Sequence, residues 1–510
     1  DPVMPIDPHH SRPLDVHRWS DHPEVNALVG EVWDEVFGEE EGVRPGPETL
    51  TKTDFIHYLN CPKSMWLSKR EPENFPAGDF SVFRQKLVNE GEEVERYFRQ
   101  HFGEEVVYEV EFLPEDLYAR ADGVGVDEDG VRTLYEVKSS TRVKTDPKHN
   151  QLKDACFQKI CAERAGQRID RVVLVHLNGD YVRRGAVDPE ELLVFADVTD
   201  RVAEIEEETA VEMAAALDLL AGDIDRGRCD CLYKSRGNQC DAFDYFNDWL
   251  PDPSIYSLPY LSGERLRGLV DDRMFDPHEV PKEGELGERQ RLVLEAIRTG
   301  QPQIGREAIA EFLDGLVFPL HFLDYETYAS AVPLLDGASP HKHFPIQYSL
   351  HVLQEDGNWR HREYLEHEAR LPDQLLNRLI QDMGPAGSVI VWHAAFERSV
   401  NNEMAEAFRE HADFLRDVNE RMVDLEDPFK RAYVDAGFEG STSIKKVLPV
   451  VRPGLHYDDL VVQDGTEAME AWRRMLEAEE EAEDIAQELL EYCKLDTWAM
   501  VEIYRFLDGL

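Results

Sequence analysis

The sequence predicts an α+β chain of two α/β domains joined by a helical connector, and three observations predict it. Strand and helix patterns fall in two blocks, from Thr51 to about Phe246 and from about Phe318 to Leu510, with strands preceding helices in the second. The stretch between them, 247–317, carries "LPDPSIYSLPYLSGERLRGLV" and "LGERQRLVLEAIRTGQPQIGREAIAEFLDGL", helical patterns punctuated by Pro and Gly. The 510 residues, 42% hydrophobic, are enough to bury two or three cores.

The elements follow in order. Residues 1–50 are Pro- and His-rich and read as a loosely ordered lead-in with one short helix. "TKTDFIHYLNCPKSMWL" reads as the lead helix of the first domain, with Cys61 on its rim, and "NEGEEVERYFRQHF" (89–102) as another helix. "LYARADGVGVDEDGVRTLYEVKSS" is a hairpin turning at "DEDG". "QLKDACFQKICAERAG" (151–166) is a helix, and "RVVLVHLNGDYVRRG" reads as a second hairpin. In the second block "FPLHFLDYETY" is an apolar strand and "IQYSLHVLQEDGNWRHREYL" a hairpin turning at "EDGN". "SVIVWHAAFERSVNNEM" runs strand into helix, and "ELLEYCKLDTWAMVEIYRFL" is a long amphipathic helix. The acidic run 478–492 is the solvated face of a helix.

The net charge of −49 comes from 104 acidic residues against 55 basic ones, of which only 16 are Lys. Such acidity repels nucleic acid in general, but it is spread over the whole chain, as on the carboxylate-rich surfaces of halophilic proteins, where salt screens the field within a few ångströms. No apolar run approaches a membrane span and no signal segment opens the chain, so a cytoplasmic location is expected. The chain begins Asp1-Pro2 without a methionine, the expectation being a missing native start. In a cytoplasmic protein, clustered cysteines point to metal or catalysis, not disulfides.

Asp122 lies on the first strand of the "DEDG" hairpin. Glu136 and Lys138 lie two apart on the second, leaving the same face. Two carboxylates beside a lysine suit metal-dependent hydrolysis: the acids hold a hard divalent cation and the lysine stabilises charge on a phosphate. The order of hairpin, glutamine-bearing helix and further strands resembles the RecB-like branch of the PD-(D/E)xK nucleases, a restriction-endonuclease-like fold. That resemblance implies catalytic roles for Asp122, Glu136, Lys138 and Gln158, with Gln151 as the alternative glutamine. Several relatives carry a metal-binding His on the upstream helix, where this sequence has Glu95.

Cys229, Cys231 and Cys240 fall within twelve residues, and Cys61 precedes them by 168 positions (229 − 61). One early and three late cysteines around the nuclease motifs resemble the iron–sulfur RecB-like nucleases of the AddB and CRISPR-adaptation type. The resemblance implies a structural 4Fe–4S cluster on Cys61, Cys229, Cys231 and Cys240. Four thiolates fit zinc as well, and the C-x-C spacing leaves open that Cys229 or Cys231 is not a ligand. Cys156, Cys161 and Cys493 read as core or incidental residues.

Asp324 and Glu326 share a face of the "FPLHFLDYETY" strand, and Tyr492 and Asp496 share a face of the last helix. D-x-E on a central strand and Y-x-x-x-D on a C-terminal helix resemble the DnaQ-like, RNase H-like DEDD exonucleases. There, acidic groups hold two metal ions that clamp the attacking and leaving oxygens, and the tyrosine positions the attacking water. "WHAAFE" aligns with the second motif and puts His393 and Glu397 where the family has Asn and Asp; Asp424 is a further acidic candidate. "STSIKKVLPVV" resembles a segment of an uncharacterised bacterial and archaeal family that fuses the two nuclease types, and makes Lys445 and Lys446 candidates for phosphate contact.

Together these resemblances imply a Mg²⁺- or Mn²⁺-dependent nuclease with two centres. Its substrate would be DNA that is single-stranded or has free ends, in repair, recombination or defence against foreign DNA. An RNA-processing exonuclease and a non-catalytic nucleic-acid scaffold are the alternatives.

Overall fold

The computed structural model describes residues 46–76, 82–281, 286–457 and 460–510. Of the lead-in expected over residues 1–50, residues 1–45 lie outside the described residues, as do Asp458–Asp459, and Leu50 already belongs to the first strand. The fold is α+β, with 48% of the described residues helical and 16% in strands. It forms two compact units. The first holds residues up to Tyr181 with Gly185–Leu232 and Gly237–Asp248; the second holds Trp249–Leu510 with two short excursions, Val182–Arg184 and Tyr233–Arg236. The segment expected as a connector therefore belongs, from Trp249 on, to the second unit. Among the described residues no helix is long and apolar enough to cross a membrane.

The first unit opens with β1 (Leu50–Thr51), which pairs parallel with β3 and feeds α1 (Lys52–Asn60). A capping box starts the helix: Asp54 N donates to Thr51 Oγ1 at 3.2 Å, and Asp54 Oδ2 accepts Thr51 N at 3.1 Å. Asp54 is fully buried and its charge is met by Lys69 at 2.9 Å. Removing one partner of a buried pair strands the other, so Asp54→Ala should cost the first unit about 3–5 kcal/mol in urea unfolding. A loss below about 1 kcal/mol, the scale of a surface pair, would contradict this account.

The single lead helix expected over 51–67 is two helices. Pro62 opens α2 (Pro62–Arg70) and disfavours helical backbone at the residue before it, so Cys61 swings out to φ −156°. Cys61 is thus a corner between α1 and α2, not a helix-rim residue.

α3 (Val82–Phe102) precedes the sheet of β1, β2 (Val106–Phe112), β3 (Leu117–Val126), β4 (Arg132–Val137), β5 (Arg171–Leu177) and β6 (Leu193–Asp197). Its main path runs β1-β3-β4-β5-β6, with β2 also on β3. Between β4 and β5 the chain crosses over through α4 (Gln151–Arg164), which makes this pair parallel, and α5 (Thr199–Ala221) follows β6. The expected hairpin within 171–185 is not formed. The return strand is β6, because "LVF" after Leu192 supplies an apolar run that "YVRRG" lacks. Phe157 and Cys161 of α4 and Met213 and Ala216 of α5 pack with Leu134 and Leu174 of the sheet.

In β2, Tyr108 pairs with Gly123 and Val110 with Ala121, so Glu109, at φ 52°, lies opposite Asp122 in an unshifted register. Beside it Gly123 is required by close packing: a Cβ there would stand 2.7 Å from Val106 Cγ1 and 3.0 Å from the Phe98 ring.

In the second unit, α6 (Gly263–Asp271), α7 (Glu288–Thr299), β7 (Gln303–Ile304) and α8 (Arg306–Asp314) precede the main sheet. β7 pairs with β13 (Tyr433–Val434). The sheet has order β10-β9-β8-β11-β12, with β8 (Leu320–Tyr328) central. β9 (Phe344–Leu353) and β10 (Trp359–Leu365) form the antiparallel meander; β11 (Val389–Val391) and β12 (Met422–Asp424) run parallel to β8 and to each other. One face packs on α9 (Asp373–Asp382), α10 (Ala394–Ala407) and α11 (Ala412–Arg421) through Leu323, Tyr325 and Leu350. The other packs on α12 (Ile444–Val451), α13 (Gly465–Glu477) and α14 (Ala482–Asp508) through Leu320 and Phe322.

Buried polar bonds set the register of α14 on the sheet. Gln347 Nε2 donates to the Leu489 carbonyl at 2.9 Å, Ser349 Oγ meets Thr497 Oγ1 at 2.7 Å, and His351 Nδ1 meets the same hydroxyl at 2.8 Å. These bonds fix which α14 side chains lie over the Asp324–Glu326 stretch of β8.

Candidate functional sites

In the first unit the last paired row of the hairpin, Gly123 with Tyr135, puts Asp122 opposite Glu136. Asp122 Oδ2 accepts the Val137 N–H at 2.6 Å. Glu136 is buried and accepts three hydrogen bonds: its Oε1 accepts Lys138 at 2.6 Å and Lys52 at 2.7 Å, and its Oε2 accepts Gln158 Nε2 at 2.6 Å, which leaves Oε2 one lone pair. Lys138 also meets Asp154 Oδ2 at 2.5 Å. Burial raises the Glu136 carboxyl, but the two ammonium groups overcome it and hold the residue below the usual carboxylate range. Asp122 goes the other way, pushed well up by burial and by the Glu136 charge.

Gln158 is fully buried and its Oε1 has no hydrogen-bond partner. The alternative, Gln151, is spent on the loop before its helix, accepting Lys144 N at 2.7 Å and donating to Ser140 Oγ at 3.2 Å. Glu95 is raised by burial and next by the Glu136 charge, so it borders the group. Lys52 and Asp154 were not singled out from the sequence. Lys52 reads there only as the second residue of the lead helix, and Asp154 as one of many acids on another.

Cys61, Cys229, Cys231 and Cys240 are all buried and their sulfurs lie within 4.8 Å of one another. All four are free thiols, and Asn247 Nδ2 donates to Cys229 Sγ at 3.5 Å. The donor set suits an iron–sulfur cluster or zinc. Bonds of about 2.3 Å to one tetrahedral ion put sulfurs about 3.8 Å apart, and Cys229 and Cys240 stand at 4.0 Å. A four-iron cluster needs a wider cage, so the spacing matches a single ion more closely. Cys156 and Cys161 lie in the core, away from this set.

In the second unit Asp324 and Glu326 come from β8, Glu397 from the first turn of α10, and Tyr492, Cys493 and Asp496 from α14. Glu326, Glu397 and Asp496 are buried and Asp324 is half-buried. Burial and their mutual repulsion push Asp324, Glu326 and Glu397 well above the ordinary carboxylate range. Asp496 is raised by burial to about 6, against the pull of Tyr457, whose hydroxyl donates to Asp496 Oδ1 at 2.6 Å. Glu397 Oε2 has no hydrogen-bond partner.

Asp324, Glu326 and Cys493 offer ligand atoms within 4.8 Å of one another, with Cys493 Sγ 3.6 Å from Asp324 Oδ2. Cys493, expected as a core residue, is therefore also a member of this group. Tyr457 was missed because a single tyrosine in a loop carries no periodic signal; Cys493 was legible only as the neighbour of Tyr492. Asp424 is spent elsewhere: it caps α10, accepting His393 N at 3.1 Å and Ala394 N at 3.2 Å. Lys445 sits over the Tyr457 and Tyr492 rings at 5.6 and 5.9 Å, while Lys446 is ion-paired with Glu439 at 2.7 Å.

Residues 321–443 match a family described as a domain of unknown function, DUF2779. The chain is 26% identical over 212 residues to the uncharacterised protein MG366 of Mycoplasma genitalium, covering 37% of this chain and 32% of the relative. It is 28% identical over 211 residues to the MG366 homologue of Mycoplasma pneumoniae, covering 36% and 32%. The chain thus spans about a third of the length of these curated relatives. A solved structure titled "Crystal structure of SSO0001" aligns with 37% of this chain and 85% of its own, at 13% identity and a TM-score of 0.20.

Proposed function

We propose that the chain is a divalent-metal-dependent nuclease that hydrolyses phosphodiester bonds of DNA, single-stranded or with free ends. It would have a RecB-like centre in the first unit and a DnaQ-like centre in the second. The observation that carries this reading is the convergence of Asp324, Glu326, Glu397 and Asp496, with no ion pair to any of them among the described residues and only the more distant Lys445 charge acting on Glu326 and Asp496. Packing four acids together, three of them buried, is costly unless they take up protons or cations neutralise them. Mg²⁺ or Mn²⁺ held by Asp324, Glu326 and Asp496 would do so, and would supply an activated water and charge for a scissile phosphate.

The chain's own groups have distinct parts. Tyr457 engages one oxygen of Asp496 and leaves the other available. Tyr492, edge-on to Tyr457 at 6.3 Å, is the group that orients the attacking water. Glu397 keeps an unpartnered oxygen beside them, and Lys445 offers a phosphate contact over both rings. In the first unit Asp122 and Glu136 are the metal-binding acids, Lys138 stabilises phosphate charge, and Gln158 orients Glu136.

The thiolate set is a structural centre. The family resemblance favours 4Fe–4S there and the sulfur spacing favours one zinc ion. Visible absorption bleached by dithionite would mark the cluster, whereas a colourless protein with one zinc would mark the ion.

The test is degradation of labelled single-stranded DNA, duplex DNA and RNA in Mn²⁺ by wild type and by Asp122→Ala, Glu136→Ala, Asp324→Ala and Asp496→Ala. DNA cutting that falls in these variants is expected. Preference for RNA would move the reading to RNA processing. Binding without cutting by wild type would leave a scaffold.

A further inference from the structure

Lys52 is a lysine whose placement is over-determined. Its backbone follows directly on β1, which pairs with the catalytic strand β3. The capping box of Thr51 and Asp54 fixes the first turn around it, and the buried Asp54–Lys69 pair anchors that turn. The far end of the same helix is Cys61, a member of the thiolate set. A surface lysine needs none of this.

Its ammonium differs from that of Lys138. Lys138 is committed to two carboxylates at 2.6 and 2.5 Å. Lys52 has one close partner, Glu136 at 2.7 Å, with Asp154 next at 3.8 Å, and its side chain is 28% exposed. An ammonium has three donors, so Lys52 retains bonding capacity on its solvent side. Two ammonium groups thus meet one Glu136 oxygen, Lys138 shared with Asp154 and Lys52 turned partly to solvent. In a chain with 16 lysines and a net charge of −49, a lysine held this firmly at an acidic centre with a solvent-facing donor to spare suits an anionic ligand.

We propose that Lys52 is a phosphate-binding residue of the first centre, taking a backbone phosphate of the nucleic-acid strand beside Asp122, Glu136 and Lys138. This rests on the nuclease reading of that centre. Lys52 is parked on Glu136 when no nucleic acid is bound and exchanges that carboxylate for the phosphate when a strand enters. Its role is electrostatic positioning; no bond is made or broken at its nitrogen.

The test uses the full chain carrying Asp324→Ala, so that the second centre is silent. Affinity for a labelled DNA duplex is measured against salt in Ca²⁺, and cutting in Mn²⁺, for Lys52, Lys52→Arg and Lys52→Gln. Each phosphate contact contributes about 0.9 to the slope of log affinity against log salt. The slope should fall by about 0.9 in Lys52→Gln and be retained in Lys52→Arg, with KM for cutting rising in the first and restored in the second. An unchanged slope in a folded Lys52→Gln chain would overturn the proposal, whatever happens to cutting. Failure of the nuclease reading is a separate result: Asp122→Ala and Glu136→Ala would then leave cutting unchanged. A chain that binds no duplex overturns both.

Discussion

Asp324→Asn should nearly silence metal-dependent cutting by the second unit and, in chelator, make that unit more stable. Both effects follow from one feature, the packing of four acids around α14 and β8. Losing one carboxylate that holds an ion removes transition-state charge stabilisation, on the scale of 10²–10³-fold or more in rate. The same carboxylate is held well above its ordinary pKa by burial and by Asp496. An acid with a raised folded pKa contributes stability below its unfolded pKa, and that contribution is lost as pH rises through the folded value. For Asp496 the loss runs from the ordinary range near 4 up to about 6, and for Asp324, Glu326 and Glu397 it continues to higher pH. Metal-free thermal unfolding of the second unit should therefore shift to lower temperature as pH rises from 4 towards 8. Mn²⁺ should reverse the shift in wild type and do so less in Asp324→Asn. A neutral amide of the same shape should gain on the order of 1 kcal/mol at pH 8. If Asp324→Asn instead unfolds earlier than wild type in chelator at pH 8, the acids are not in mutual repulsion and the metal reading loses its main support.

Periodicity exposed much of this architecture. The central strand with Asp324 and Glu326, the "EDGN" hairpin and the long last helix are all readable, because one face of each element is apolar and the turn residues are explicit. The sequence reading failed where one local contact overrides the pattern. Pro62 splits a continuous helical pattern and so turns Cys61 into a corner. The apolar run after Leu192 wins the pairing with β5 over the residues that follow the nearer turn. At the sites, residue types spaced by two or four along one element were visible. Groups delivered by a different element were not: Lys52, Asp154 and Tyr457 arrive by tertiary packing, and nothing in their own neighbourhoods marks them. The choice of Gln158 over Gln151, and the commitment of Asp424 to a helix cap, likewise depend on which backbone groups lie nearby in space.

Stripping the metal proposed for the thiolate set, or replacing Cys61, Cys229 or Cys240 with Ser, should cost the first unit about 3–5 kcal/mol. The segment that carries the late cysteines has little structure of its own, only the single-turn helices Asp230–Tyr233 and Arg236–Asn238. It is held near the α1–α2 corner by Lys63, whose ammonium meets the Asp225, Gly227 and Arg228 carbonyls at 2.6, 3.2 and 3.0 Å, and by the sulfurs. A link from Cys61 to Cys229 closes a loop of 168 positions (229 − 61), and cross-linking a loop of about 100 residues restricts the unfolded chain by about 4.7 kcal/mol. Metal binding that requires the folded arrangement adds directly to folding free energy. Cys156→Ser and Cys161→Ser, in the core of α4 and outside the sulfur set, should leave metal content unchanged, which separates ligand loss from simple core damage. Cys231→Ser decides the C-x-C question, since retention of metal would make Cys229 the ligand of that pair. Because α1 runs from Lys52 up to the Cys61 corner, metal loss should also slacken the lysine at Glu136. Cutting by the first centre should then weaken at denaturant concentrations where the unit is still folded. Metal-free protein as stable as the loaded form, with its cutting intact, would reduce the four cysteines to ordinary core residues.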